Sequence, residues 1–509
     1  MRALKDSRHP SESSPSSSEP FPSHVYAETV LAVNFEDAKK YFLDALLEIH
    51  TAHTLMLTRQ GILPKAVASV FLEAIAELDH TKILAARYEG RFEDLFFYIQ
   101  HLLTQSCGED VAGRIHTARS RNDIDLTMYR MCMRREILRV AAETAEARMV
   151  LLNVAASNLH TIMPAYTHTQ PAQPTTLAHY LLAAAEFLGR DMQRLRAAFA
   201  TVNRNPLGAC AITTTGFPID RDYTARMLGF EGLQLNSYGA IGAIDYLTET
   251  AAAIAVLMLN LGRLVQDLLV WCTPEFGFLR LSDAYVQISS IMPQKRNPVA
   301  LEHVRILASK AFGQAQAVLS CAHNTPFGDV VDSEDGLQPL AFAMCADASR
   351  ALRLFAGVVS HAEVDRERMS HAANRNFLTV TELADTLVRE EGISFGMAHR
   401  LVAASVRAAT SGDSPEGLVT EMERLAPEVV GKKLGRPREV WLRALDPVHF
   451  VGIRAIPGGP APEAVRAQIA CAQKEQTEAQ EWLNVKRSLI GRYSQLIQNE
   501  ILALQKASS

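Results

Sequence analysis

An all-α protein is predicted, because stretches with helical periodicity dominate the chain and strand-like alternation is nearly absent. Residues 128–159, 175–202, 245–270 and 299–322 are each long enough for about six turns or more. Their apolar residues spread around much of the helix surface, so each must be covered on several sides. Together they imply a central bundle of long helices that packs against other helices and against other subunits.

Taken in order, the chain opens with a Ser-rich tract, Ser11 to Ser18 interrupted only by Glu12 and Pro15, and has no apolar stretch there to serve as a signal peptide. Residues 1–24 are expected to be a disordered Ser/Pro-rich tail. Residues 34–103 read as shorter helices. Polar loops introduce three of the long helices: 114–123 precedes the first, 164–174 the second and 289–298 the fourth. After Asn376, residues 381–388 and 394–409 begin another helical segment. The expected division is therefore an N-terminal helical domain over 25–125, a central long-helix bundle over 126–376 and a C-terminal helical domain over 377–509. The most apolar run, 251–259, is soon followed by Asn260, Arg263, Gln266 and Asp267 and falls short of a membrane span, so it reads as a buried bundle helix.

Composition narrows the partners. Hydrophobic residues make up 48% of the 509, ample for a large core, and 51 basic against 56 acidic residues give a net charge of -5. Without a basic excess a nucleic-acid surface has no electrostatic support, and small molecules or protein partners are expected instead. The seven cysteines are odd in number and scattered, with no CxxC or Cys/His cluster at zinc spacing. They read as free thiols in a reducing compartment, which points to the cytoplasm.

The most chemically loaded segment is Ser289-Ser290-Ile291-Met292-Pro293-Gln294-Lys295-Arg296-Asn297-Pro298. Paired hydroxyls, a lysine, an arginine and an asparagine crowd a stretch whose only large apolar residues are Ile291 and Met292, a composition suited to an anion. Asn297 is a favoured helix N-cap and Pro298 a favoured first helical residue, which sets the anion site at a helix N-terminus.

These residues, with 113–123, 166–174, 206–221, 381–388 and 458–462 in the same order, resemble the argininosuccinate lyase family within the wider aspartase/fumarase superfamily. The resemblance covers nearly everything after the tail. It implies a mostly helical three-domain subunit, a homotetramer with a twenty-helix core, and active sites shared between three subunits. It also implies the chemistry: reversible elimination of an amine from an N-succinyl compound, releasing fumarate without metal or organic cofactor, and a place in arginine biosynthesis.

Such an elimination removes a weakly acidic proton beside a carboxylate and must stabilise the doubly charged aci-carboxylate that results. By resemblance Ser289 is the base, Lys295 stabilises the intermediate, and Ser290 and Met292 line the pocket. Asn297 and Lys295 look like contacts to the substrate carboxylate, and Glu302 like the acidic partner of a histidine. That histidine is His168, in Tyr166-Thr167-His168-Thr169-Gln170, whose imidazole suits proton donation to the leaving amine at neutral pH. Thr167 and Gln170 would hydrogen-bond the substrate beside it. Arg121 and Asn122 resemble the pair that grips the fumarate portion, for which a bidentate guanidinium is well suited. Read without the resemblance, the Ser pair is turn chemistry, Ser120 to Asp123 is a helix cap, and Arg119 is structural.

The chain departs from the family pattern on the amine side. Gly242-Ala243-Ile244-Asp245 stands where a Ser-Asp-Arg-Asp sequence is usual, and Phe327-Gly328-Asp329-Val330-Val331-Asp332, continuing to Glu334 and Asp335, replaces a Tyr-Asn-Lys-Asp type stretch. Ala118 and Ile288 replace glycines, and the stretch after Pro206 is altered to Gly208-Ala209-Cys210-Ala211. Specificity for argininosuccinate needs every buried polar contact paired, so the changed charge raises an alternative. That alternative is a lyase for an aminopolycarboxylic acid such as ethylenediamine-disuccinate, whose diamine suits an acidic patch. A non-catalytic, crystallin-like role is the alternative of another class, since fold alone never fixes function.

Overall fold

The computed structural model describes residues 21–409 and 414–506. Most of the expected Ser-rich tail therefore lies outside the described residues. The principal helices are α1 (Leu43–Arg59), α2 (Arg121–Ala156), α3 (Leu177–Val202), α4 (Asp245–Trp271), α5 (Val299–Ala322), α6 (Gln338–Ser360) and α7 (Pro462–Lys506). The four predicted long helices are α2 to α5. The first of them starts earlier than its apolar pattern, because Ser120 and Asp123 form a capping box at its N-terminus.

A seven-residue spacing of buried side chains explains how these helices pack. Leu181, Leu188 and Leu195 on α3, Ile254, Leu261 and Leu268 on α4, and Val304, Ala311 and Val318 on α5 all lie in one core. A heptad seam stays on one face only when helices run nearly parallel or antiparallel, which is the geometry of a bundle. Leu188 is fully buried, and truncating such a side chain to alanine costs about 2–5 kcal/mol. α4 has the length and composition to cross a membrane, yet its Tyr246, Ile254, Leu261 and Trp271 pack into this core. Its outer face still exposes Val256 and Leu259, and α5 exposes Ile306 and Leu319.

α7 runs back along the same core through Val465, Ile469, Leu483 and Tyr493. There the buried Arg148 of α2 donates to Glu475 at 2.6 Å and to the Ala185 carbonyl at 3.0 Å. A separate smaller core gathers Leu383, Leu401, Leu418 and Trp441.

The connections sort the loops by end. At one end the start of α2 meets the end of α3 and the start of α4, since Arg130 donates to the Thr201 carbonyl at 2.9 Å and lies 4.0 Å from Asp245. The segment between α5 and α6 arrives there too, as Asn122 reaches Asp329. The hairpin before α3 and the segment before α5 lie at the other end, where the tilted ring pairs Tyr180–Trp271 and Tyr166–Phe276 pack.

Two expectations need correction. The segment 164–174, expected as an irregular loop, is an antiparallel hairpin of β1 (Ile162–Thr167) and β2 (Gln170–Thr176) with a bulge at 165–166. Prolines at 164, 171 and 174 and the isolation of this two-stranded ribbon suppress the alternation by which a strand is recognised. Asn297, expected to cap α5, instead lies in β4 (Arg296–Asn297), paired with β3 (Gln287–Ile288). Pro298, at ψ 50°, takes the N-cap position, so the helix begins at Val299.

Candidate active site

The serine segment is a flap whose two ends are pinned. Ile288 pairs with Arg296 and Gln287 with Asn297, while Arg296 donates to Asp283 at 2.5 Å and to the Leu281 carbonyl at 2.8 Å. Ser289 and Lys295 thus stand at the mouth of one short loop. Inside it the Ser289 Oγ accepts the backbone N–H groups of Met292 at 3.1 Å and Ile291 at 3.3 Å. This is the turn expected of the Ser pair, and it also has chemical value: two amide donors on a hydroxyl oxygen favour its alkoxide. Ser290, Met292 and Lys295 are exposed and Asn297 half-buried. Met292, Lys295 and Asn297 line a cavity of about 1170 Å³ whose floor includes Leu269 and Leu281. Glu302 is exposed in the first turn of α5.

His168 sits at the tip of the β1–β2 hairpin. Both turn residues are left-handed, His168 at φ 51° and Thr169 at φ 61°, as a two-residue hairpin turn requires. Thr167 and Gln170 face each other across it, and all four side chains are exposed. The ribbon is anchored at its base, where Gln173 donates to Thr381 at 3.0 Å and His179 Nε2 lies 3.0 Å from the Gly458 carbonyl.

Arg121 and Asn122 occupy the first turn of α2, at the opposite end. The 24 residues of α5 alone, at 1.5 Å each, separate the serine flap from the Asp329 region by roughly 36 Å. One chain therefore brings Ser289 and His168 to one end and Arg121 with Asn122 to the other. Asp123 builds the latter end: its carboxylate accepts N–H groups from Ser120 at 2.8 Å, Gly208 at 2.8 Å and Cys210 at 3.0 Å. Burial pushes Asp123 up to about 6 against the pull of those three donors.

Around Arg121 lies a group of carboxylates that pattern reading of the sequence passed over in part. Arg121 pairs with Asp94 at 2.8 Å and Glu93 at 3.0 Å. Burial opposes its charge, but Asp94 and Glu93 outweigh that and hold the guanidinium protonated. Asn122 donates to Asp329 at 2.5 Å, and Tyr129 donates to Asp335 at 2.9 Å. Burial, reinforced by Asp94 and Asp335, raises Asp125 well above the usual carboxylate range. Burial, with a hydrogen bond to Asp329 and its charge, pushes Glu334 up to about 9. The only sequence signal for Asp125 is its spacing of four residues from Arg121, one turn along the same face. Asp94 carries none, because tertiary packing alone brings it there.

The two segments that depart from the family pattern also meet here. The Gly242 Cα region packs so closely on the Phe327–Gly328 backbone that an added Cβ would lie 3.1 Å from the Gly328 nitrogen, and Tyr238 stacks on Phe327 at 5.5 Å.

The long-helix bundle, matched to the family described as Lyase, is that of a lyase of the aspartase/fumarase type. Residues 76–313 match the family described as Lyase, and 377–451 match Argininosuccinate lyase C-terminal. The chain belongs to the argininosuccinate lyase family. It is 43% identical to argininosuccinate lyase 2 of Agrobacterium fabrum over 88% of this chain and 90% of that one. With argininosuccinate lyase of Methanoculleus marisnigri it shares 39% identity over 91% and 93% of the two chains. The crystal structure of EDDS lyase in complex with formate superposes with a TM-score of 0.84 at 31% identity, covering 94% of this chain and 97% of that one.

Proposed function

We propose that this carbon–nitrogen lyase eliminates an amine from an N-succinyl substrate at a site completed by three subunits of a homotetramer. The observation that carries the reading is the Ser289 Oγ holding two backbone N–H donors inside a pinned, cation-bearing flap. The alkoxide takes the proton from the carbon beside a carboxylate, and Lys295 and the flap amides receive the charge that builds on the carboxylate oxygens. That electron pair forms the carbon–carbon double bond as the carbon–nitrogen bond breaks. His168, backed by Glu302, returns a proton to the leaving amine. Ser290 and Met292 line the pocket, Asn297, Thr167 and Gln170 hold the substrate, and Arg121 with Asn122 from another subunit grips the fumarate portion.

Separation of the groups within one chain supports a shared site, and the exposed apolar side chains of α4 and α5 offer faces for other subunits. Exposure of Ser289-flap and hairpin side chains also speaks against a crystallin-like role, because these residues contribute little to packing. Seven free cysteines fit a reducing cytoplasm. The test is mixing. Ser289→Ala and Arg121→Ala, each inactive alone, should regain part of the fumarate-releasing activity when unfolded and reassembled together. No recovery from well-formed mixed oligomers would remove the shared site.

A second reading of the amine is favoured by the carboxylate group. Asp94, Asp329 and Asp335 outnumber their one arginine even with Asp125 and Glu334 held protonated beside them, and a dicationic amine such as ethylenediamine relieves that excess better than arginine, which brings its own carboxylate. Running the reaction backward with fumarate and arginine, aspartate or ethylenediamine, and identifying adducts by mass, decides between them. Faster addition to arginine would end the diamine reading.

A further inference from the structure

Behind the Arg121 loop, two histidines of α1 hold the segment 117–119 from one face, one through its backbone and one through a side chain. His50 and His53 are three residues apart, so both project from the same side of α1, and both are buried with 1% exposure. His53 Nε2 lies 2.9 Å from the Thr117 carbonyl. His50 Nδ1 lies 2.9 Å from Nη1 of the buried Arg119. Between these two contacts sits Ala118, at φ 58° in the left-handed region, and immediately after them Ser120 caps α2. Phe96 closes the cluster with its ring 5.8 Å from both His50 and His116.

The partners dictate the protonation of each ring. A carbonyl can only accept, so His53 carries its proton on Nε2; a guanidinium can only donate, so His50 must be bare on Nδ1. The groups facing this pair are Arg119, His116 and, beyond Arg119, Asp123. Burial, with the Arg119 charge beside them, keeps both rings neutral. Among the described residues the Arg119 Nε has no hydrogen-bond partner, so the contact of Nη1 with His50 is its principal polar anchor.

We infer that His50 and His53 are positioning residues that fix the loop 117–120, and through it the direction in which Arg121 and Asn122 present themselves to the fumarate carboxylate. Arg119 is the link: it is too buried to meet substrate, and it lies two residues before Arg121. The inference rests on the assignment of Arg121 and Asn122 to fumarate, and it adds the residues that aim them.

The test uses fumarate itself, titrated calorimetrically into the full-length protein, which makes the identity of the amine irrelevant. His50→Asn keeps an acceptor oxygen close to the position of Nδ1, whereas His50→Leu keeps the volume and removes the acceptor. His50→Leu should weaken fumarate binding about tenfold or more, the scale of a misaimed binding group, while His50→Asn stays within about twofold of the parent. Should His50→Leu fail to fold, His53→Leu and His53→Gln repeat the comparison, since the Gln Nε2 can donate to Thr117 as the ring does. Parent-like affinity in the leucine variants, or equal weakening in the leucine and amide variants, overturns the positioning role. Arg121→Ala separates the two levels: unaltered fumarate affinity there overturns the site assignment itself, and weakened affinity there with unaltered His50→Leu overturns only the inference.

Discussion

Asn122 Nδ2 donates to Asp329 Oδ2 at 2.5 Å, so the first turn of α2 is tied directly to a segment read as departing from the family pattern. Arg121 and Asn122, proposed to hold fumarate, and the acidic residues proposed to face the amine therefore adjoin one another. Tyr129 of the same helix adds a second tie, donating to Asp335 at 2.9 Å.

Ser289→Ala removes the proton acceptor from an exposed turn and opens no cavity. Fumarate release, followed by its ultraviolet absorbance, should fall by about a thousandfold or more while assembly measured by light scattering is unchanged. Retention of parent-like turnover would take Ser289 out of the mechanism.

Asp329→Asn leaves a hydrogen-bond acceptor for Asn122 but deletes one negative charge from the acidic group proposed to face the amine. KM for the cationic amine in the addition direction should rise about tenfold, with the KM for fumarate little changed. Equal shifts in both constants would show that the residue acts on the fumarate side instead.

Glu334 is held protonated by burial and by Asp329, at about 9 against 4.5 unfolded. The folded chain therefore binds this proton more tightly than the unfolded chain. Its stability contribution is complete below pH 4.5 and is lost as pH rises through 9. Glu334→Gln should raise Tm over the parent at pH 8 to 9 and leave it unchanged near pH 4. A constant difference across that range would refute the assignment.

His50 and His53 titrate with the opposite consequence. Their folded values lie below the usual 6.5, His53 at about 3, so the unfolded chain takes up protons first as pH falls. For His53 the stability is full above pH 6.5 and declines toward 3, by about 2 kcal/mol at pH 5. His53→Gln should shrink the drop in Tm between pH 7.5 and 5.5, and a drop of unaltered size would exclude His53 as its source.

Ala118 holds a left-handed backbone at φ 58°, where glycine is common in the family and where a Cβ costs roughly 1–2 kcal/mol. Ala118→Gly should stabilise the protein by about 1 kcal/mol once the extra chain entropy of glycine is subtracted. Chemical denaturation monitored by circular dichroism would read this directly; a less stable glycine variant would show that the entropy glycine adds to the unfolded chain outweighs the relieved strain.

The amino-acid sequence by itself determined the long bundle helices and the polar make-up of the serine flap. Helical burial repeats every few residues, and a flap of ten consecutive residues carries its own hydroxyls, cation and turn, so both are written in local order. The β1–β2 hairpin escaped notice because an isolated ribbon with three prolines lacks the alternation of a buried sheet. The cap of α5 was misplaced by one residue because Asn297 pairs with Gln287, a contact ten residues away in the chain. Tertiary structure alone decided that Asp94 and Glu334 gather around Arg121, that His50 and His53 stand behind it, and that Ser289 lies at the far end of the bundle from Asn122. Those relationships join residues separated by tens to hundreds of positions, and no local periodicity can encode which ends of antiparallel helices come to lie together.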